Sequence, residues 1–271
     1  MKKNQLTPFL EIEGISAASG LVYHANSLFI ISDNSTFLYQ YNLYKKTFFK
    51  WQLFTNSQEN IVKKDKEDFE AITLFKNKLY IYGSGSTQKR TRRVTFNLEN
   101  KEIKVKNLSK IYKILTEKIP STDDELNIEG VIITDETTYF FQRGNGANAQ
   151  NGIFSYDKKS SIAVFNLITL PKINGIEATF TDAIIVENTI YFLAAAENTC
   201  STYDDGEVMG SIIGTLDLKS LRLLNCIQIS DKYKLEGITL FKKTATHVEL
   251  LLCEDNDTAA LTTTIYKLIL E

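Results

Sequence analysis

Short apolar runs, each opened by an oxygen-bearing side chain and a glycine or alanine, recur along the whole chain. They read Ser19-Gly20-Leu21, Glu70-Ala71-Ile72, Glu129-Gly130-Val131, Asp182-Ala183-Ile184 and Glu236-Gly237-Ile238. The small residues stand 51, 59, 53 and 54 positions apart, a period that fills all 271 residues. A repeat of about fifty residues built of short apolar runs predicts a propeller, whose four-stranded blades stack radially because one blade cannot cover its own faces. Five motifs therefore predict an all-β, five-bladed β-propeller that occupies residues 1–271 as a single domain.

The second repeat displays the plan. Residues 71–75, 79–83, 93–98 and 103–108 alternate as strands, with Asn77-Lys78 and Asn100-Lys101 as turns between them. The last repeat lacks a fourth strand, and the N-terminal run 6–12 is placed to supply it beside 262–270, which closes the ring and leaves no open edge. One stretch departs from the β pattern. Leu108, Ile111, Tyr112 and Leu115 fall at helical spacing, so a short helix near 108–118 is expected to pack on the rim between the second and third blades.

Strand direction then sorts side chains between the two faces of the disc. The starts of the five inner strands and the loops between second and third strands share one face, the mouth. That places Ser19, Asp68, Glu70, Glu129, Asp182 and Glu236 there, with the loops at 32–35, 83–92, 142–151, 196–210 and 254–257. Both histidines, His24 and His247, fall in turns on the opposite face, which excludes a Ser-His-Asp or Cys-His device in the mouth.

Composition narrows the reading little. The net charge of −2 supplies no global attraction to nucleic acid or membrane, and a protein partner is left open. No signal-peptide core or membrane span is visible, so a cytoplasmic chain is expected. Cys200, Cys226 and Cys253 are odd in number and widely spaced, which argues against a disulfide frame or zinc site.

The local charge is more informative. The ring of Ser19, Glu70, Glu129, Asp182 and Glu236 cannot be dry, charged and unpaired at once, because like carboxylates and burial raise one another's pKa. A bound cation, protonation or a water-filled channel would each compensate. Oxygen-only ligands select a hard ion, and a roomy axis suits calcium, so Ca2+ held by these five residues is the expectation. Arg143 in a glycine-rich loop and the basic cluster Lys89, Arg90, Arg92 and Arg93 lie on the same face.

The pattern resembles the soluble calcium-activated nucleotidases, the apyrase family of five-bladed propellers. The residues that carry the likeness are Ser32-Asp33-Asn34-Ser35-Thr36 with Leu38-Tyr39-Gln40, the run 79–85, and Lys234-Leu235-Glu236-Gly237-Ile238. The likeness implies calcium on the axis, with Ser19, Glu70, Glu129 and Glu236 as ligands and Asp182 where that family tends to place serine. The Glu-Gly-Ile repeats also resemble phytase-like and esterase-like bacterial propellers. The stretch Gln142-Arg143-Gly144-Asn145-Gly146 is similar to a group of bacterial propellers of unassigned function.

Three functions compete on these grounds. A calcium-dependent hydrolase of phosphate esters or anhydrides would use Asp33 or Asp68 as general base, with Arg90, Arg143, Asn34 and Asn145 holding a small anionic or phosphorylated substrate. A non-catalytic propeller would bind a ligand or protein at the mouth, with calcium purely structural. A glycosidase would need two carboxyls across a sugar and exposed aromatic rings, and Trp51, the single tryptophan, lies on an outer strand.

Overall fold

The computed structural model describes residues 6–120, 126–145, 150–199, 206–255 and 261–271. The expectations placed on Gly146, Ala147, Asn148, Cys200, Asn256 and Asp257 lie outside the described residues. The chain begins with β1 (Leu6–Glu13) and passes into a first sheet of β2 (Ala18–His24), β3 (Ser27–Ser32), β4 (Phe37–Asn42) and β5 (Thr47–Gln52). The second sheet holds β6 (Phe69–Phe75), β7 (Lys78–Gly83), β8 (Arg92–Asn97) and β9 (Ile103–Asn107), and is followed by α1 (Ser109–Thr116). The third holds β10 (Ile128–Ile133), β11 (Thr137–Gln142), β12 (Gly152–Asp157) and β13 (Ile162–Leu167). The fourth adds a short strand, β14 (Lys172–Ile173), to β15 (Ile176–Val186), β16 (Thr189–Asn198), β17 (Glu207–Asp217) and β18 (Leu223–Ser230). The closing sheet is β19 (Leu235–Lys243), β20 (Val248–Glu254) and β21 (Thr262–Leu270), completed by β1.

All pairings within the five sheets are antiparallel, and β1 pairs along β21 from Leu6↔Leu268 to Glu13↔Thr262. This is the five-bladed propeller, closed by its N-terminal strand. Hairpins at Ala25-Asn26 and Lys76-Asn77 put both turn residues at positive φ, the geometry whose twist matches that of the flanking strands. The blades adhere through apolar side chains from neighbouring sheets. Val22 and Phe29 of the first sheet pack with Ile72, Ile81 and Phe96 of the second, and Leu21 and Ile30 pack with Leu251, Cys253 and Ile265 of the closing sheet. Cys253 is thus a buried small hydrophobe. Helix α1 seals the second and third blades, burying Tyr112 and Leu115, and the Tyr112 hydroxyl donates to the Gly83 carbonyl at 2.7 Å.

The inner strands β2, β6, β10, β15 and β19 contact one another in a ring. Each carries a β-bulge near its mouth end, and the extra residues are Ser19, Glu70, Glu129, Thr181 and Glu236. A bulge inserts one unpaired residue and re-aims its side chain. Small residues follow because the strands crowd there. A Cβ on Gly237 would lie 2.8 Å from the Gly20 Cα, and one on Gly130 would lie 3.0 Å from the Ala183 nitrogen.

Candidate functional site in the propeller mouth

The bulges set the site's registration. In four blades the repeated motif and the bulge coincide, but in the fourth the bulged residue is Thr181, one position before Asp182. Thr181 donates to the Leu235 carbonyl at 2.7 Å, and Asp182 accepts from its own neighbour Ala183 N at 2.7 Å and from Ile238 N at 2.9 Å. Ser19 likewise donates to the Phe69 carbonyl at 2.5 Å. Ser19 and Asp182 are therefore hydrogen-bonded joints between blades, and neither lines the mouth cavity. The other three ring residues do: Glu70, Glu129 and Glu236 border a cavity of about 300 Å³.

Two further tiers of the repeat complete the wall. Two residues before the bulge stand Ala17, Asp68, Asn127 and Lys234, and just beyond the second strands stand Asp33, Arg143 and Asp255. Asp68 sits at φ 57°, a left-handed conformation that aspartate tolerates, where the loop after the first blade turns into β6. Lys63 and Lys66 enter from that loop, Arg90 from a 3-10 turn at Gln88–Arg90, and Glu197 from β16, which runs longer toward the mouth than its counterparts. The lining contains seven carboxylates, namely Asp33, Asp68, Glu70, Glu129, Glu197, Glu236 and Asp255, against the cations Lys63, Lys66, Arg90, Arg143 and Lys234. Among the described residues no aromatic side chain and no histidine borders it.

On one flank Lys66 Nζ is hydrogen-bonded to Asp33 Oδ2 and lies 3.5 Å from Asp68 Oδ1. Arg90 Nη1 donates to Asp68 Oδ2 at 2.9 Å, as does Ser84 at 2.5 Å. Glu70 has no hydrogen bond among the described residues, and the Oδ1 of Asp33 is buried without one. Single oxygens of Asp33, Asp68 and Glu70 lie within 4.8 Å of one another. Burial, and then the charges of Asp68, Glu129 and Asp33, push the Glu70 carboxyl well above the usual range. Asp33 is raised by burial despite Lys66. Burial alone would depress Lys66, but Asp33, Asp68 and Glu70 outweigh it and hold the ammonium charged.

On the other flank the guanidinium of Arg143 bridges Glu129, at 3.3 Å from Nη1, and Glu197, at Nη2. Lys234 Nζ is 3.0 Å from Glu236, 3.6 Å from Asp255 and 3.9 Å from Glu197. Asn127 donates to Glu129 at 2.9 Å and reaches Asn145 at 3.4 Å. Burial raises Glu236 well above its usual range and raises Glu129, while Lys234 and Arg143 respectively oppose the shift.

The expected substrate residues are divided by the structure. Asp33, Asn34, Asp68, Arg90, Arg143 and Asn145 all border the cavity. The rest of the basic cluster turns away: Lys89 pairs with Asp65 at the surface, Arg92 with Glu67, and Arg93 lies over the Tyr80 ring. Arg143, in the glycine-rich loop just beyond β11, is a buried cation paired with both Glu129 and Glu197. Lys66, Glu197 and Asp255 were not singled out by the sequence. Lys66 lies in a mixed-charge loop that resembles solvated surface, whereas Asp255 holds the same place after its strand as Asp33 and was reachable by that alignment.

The architecture and the cavity define a five-bladed propeller with a highly polar, charge-lined mouth. Residues 14–270 match a family of unknown function (DUF6929), and the chain belongs to that family. No curated protein matches the sequence. A similar solved structure is that of an exo-1,5-alpha-L-arabinanase from a bovine ruminal metagenomic library, with a TM-score of 0.56 at 9% identity, covering 95% of this chain and 94% of that one. At that identity the likeness shows the fold. No helix among the described residues is long and apolar enough to cross a membrane.

Proposed function

We propose that the mouth cavity binds a divalent cation on Asp33, Asp68 and Glu70 together with a small anionic molecule. The observation that carries this reading is Glu70: a carboxyl open to the cavity and, among the described residues, without a hydrogen bond and in a lining whose acids outnumber its cations. Three oxygens within 4.8 Å of one another suit an ion with oxygen distances of about 2.3–2.6 Å, the range of calcium. Lys66 already neutralises part of the group, and its ammonium would give way to the ion. When bound, such an ion supplies a fixed positive charge that polarises a phosphoryl or carboxylate oxygen.

This chain's own residues then have defined tasks. Glu70 and Asp33 supply uncommitted oxygens, Arg90 holds Asp68 in place, and Asn34 and Asn145 offer neutral hydrogen bonds at the rim. Hydrolysis of phosphate esters or anhydrides is the reaction that this pair of ligands permits. A binding module without turnover is favoured by one feature: both candidate bases, Asp33 and Asp68, are engaged by Lys66 or Arg90. Among the described residues that border the cavity none is aromatic, so none offers a sugar ring a stacking surface.

The test is calcium titration by calorimetry with the wild type and Glu70→Gln. It is followed by a calcium-dependent screen of nucleoside di- and triphosphates, sugar phosphates and inositol phosphates for phosphate release and thermal shift. Binding lost in Glu70→Gln supports the cation site, and equal binding by both proteins, or by neither, refutes it. Thermal shift without turnover assigns a binding module, whereas turnover abolished by Asp33→Asn assigns an enzyme.

A further inference from the structure

An arginine that is buried and yet incompletely used marks the opposite wall. Arg143 is only 6% exposed, and its Nη1 and Nη2 are taken by Glu129 and Glu197, but its Nε is a buried donor with no acceptor among the described residues. The Nε–H and an Nη2–H point along one edge of the planar guanidinium, the fork that receives two oxygens of a carboxylate or phosphate. Glu197 fills half of that fork. Its Oε2 meets Nη2, while its Oε1 is held by the Gly206 backbone N–H at 2.7 Å and so does not reach Nε.

The same Glu197 oxygen lies 3.9 Å from Lys234 Nζ, so it stands between a guanidinium and an ammonium. Glu197 comes from the lengthened mouth end of β16, past a bulge in the β16–β17 ladder between Ala196 and Glu197. It is the lining acid contributed by the fourth blade, whose inner-strand bulge holds Thr181 in place of a carboxyl. The other lining carboxylates sit on the starts of inner strands or directly beyond second strands.

We infer that the space between the Arg143 fork and Lys234 is an oxyanion subsite, and that the Glu197 carboxylate is its displaceable internal occupant. The ligand chemistry is a carboxylate or phosphoryl group, which would meet both Nε and Nη2 of Arg143 and the Lys234 ammonium once Glu197 swings toward Gly206. The assignment rests on the reading of the mouth as an anion-binding cavity, but not on the cation.

The experiment is calorimetric titration of the whole protein with inorganic phosphate and, separately, with acetate, with a chelator present so that failure of the calcium site leaves the outcome unaffected. Glu197→Gln keeps an acceptor for Gly206 and removes the competing charge, and Glu197→Ala removes both; circular dichroism verifies that each variant is folded. Removing an occupant that blocks the competent state should tighten binding by about tenfold or more. Tightening for phosphate alone assigns the subsite to a phosphoryl group, and tightening for both anions assigns it to a carboxylate-sized group. Arg143→Lys combined with Glu197→Gln should lose the gain, because charge remains but the fork is gone. No tightening in either Glu197 variant, an equal gain from Asp255→Asn, or a gain that survives Arg143→Lys would each overturn the assignment.

Discussion

The two flanks of the mouth handle the same problem, buried carboxylates, in opposite ways. On the flank of Arg143 and Lys234 both cations sit on the propeller frame, at the end of β11 and the start of β19, and every carboxylate has a cation within 4 Å. On the flank of Asp33, Asp68 and Glu70 the cations come from a loop and a 3-10 turn, and Glu70 has no hydrogen bond or ion pair within 4 Å among the described residues. One wall is thus balanced by its own scaffold, and the other holds a buried carboxyl that no strand-borne cation reaches. Where charges are balanced by strands, the pairs also hold the fold; where they are balanced by loops, the proposed cation would take over the role of Lys66.

The largest effect should come from breaking the balanced wall. Arg143→Ala leaves Glu129 and Glu197 buried without their guanidinium, and loss of one partner of a buried pair costs about 3–5 kcal/mol. Chemical denaturation should record that loss. A cost no larger than that of a surface substitution would mean that the two walls do not differ.

Next in size is the response of the open wall to calcium. At a hundredfold excess over Kd the ion should add about 2.7 kcal/mol to unfolding, seen as a rise in melting temperature, and Glu70→Gln should remove the rise. The same variant should leave the Arg143 wall intact. Calcium stabilisation that survives Glu70→Gln but disappears in Glu129→Gln would move the cation to the wrong flank.

Proton linkage sharpens the contrast further. The Glu70 and Glu236 carboxyls are both held well above the ordinary glutamate range in the folded chain, chiefly by burial. The folded chain therefore retains protons that the unfolded chain has released, and stability in chelator should fall as pH rises above the ordinary glutamate pKa of about 4.3. The slope is about 1.4 kcal/mol per pH unit for each such group until the folded carboxyls ionise. Equilibrium unfolding across pH 4–8 measures it, with Glu70→Gln expected to flatten the curve and calcium to reverse it. Stability that rises over the same interval would contradict the raised carboxyls.

The smallest effect is expected at Ser19, which belongs to neither wall. Ser19→Ala removes one buried bond to the Phe69 carbonyl, costing about 1–3 kcal/mol with the acceptor left unsatisfied, and should leave the calcium response as it was. A Ser19→Ala protein that folds normally but no longer responds to calcium would return Ser19 to the ligand set.

The amino-acid pattern by itself determined the number of blades, the strand order, the closure by β1, the helix after β9, and the face on which Asp33, Asp68, Glu70, Glu129 and Glu236 gather. These follow from local periodicity and from the antiparallel rule, which need no knowledge of distances. Tertiary structure alone decided which of those groups meet. The bulge in β15 moved the fourth ring position from Asp182 to Thr181 and turned Asp182 to backbone amides, because one inserted residue changes the direction of a side chain without altering the repeat. It also brought Lys66 to Asp33 across 33 positions of sequence and Glu197 to Arg143 across 54. Such pairs form between loops and strand ends that no period connects, and their charges acquire meaning only when burial removes the water that would otherwise screen them.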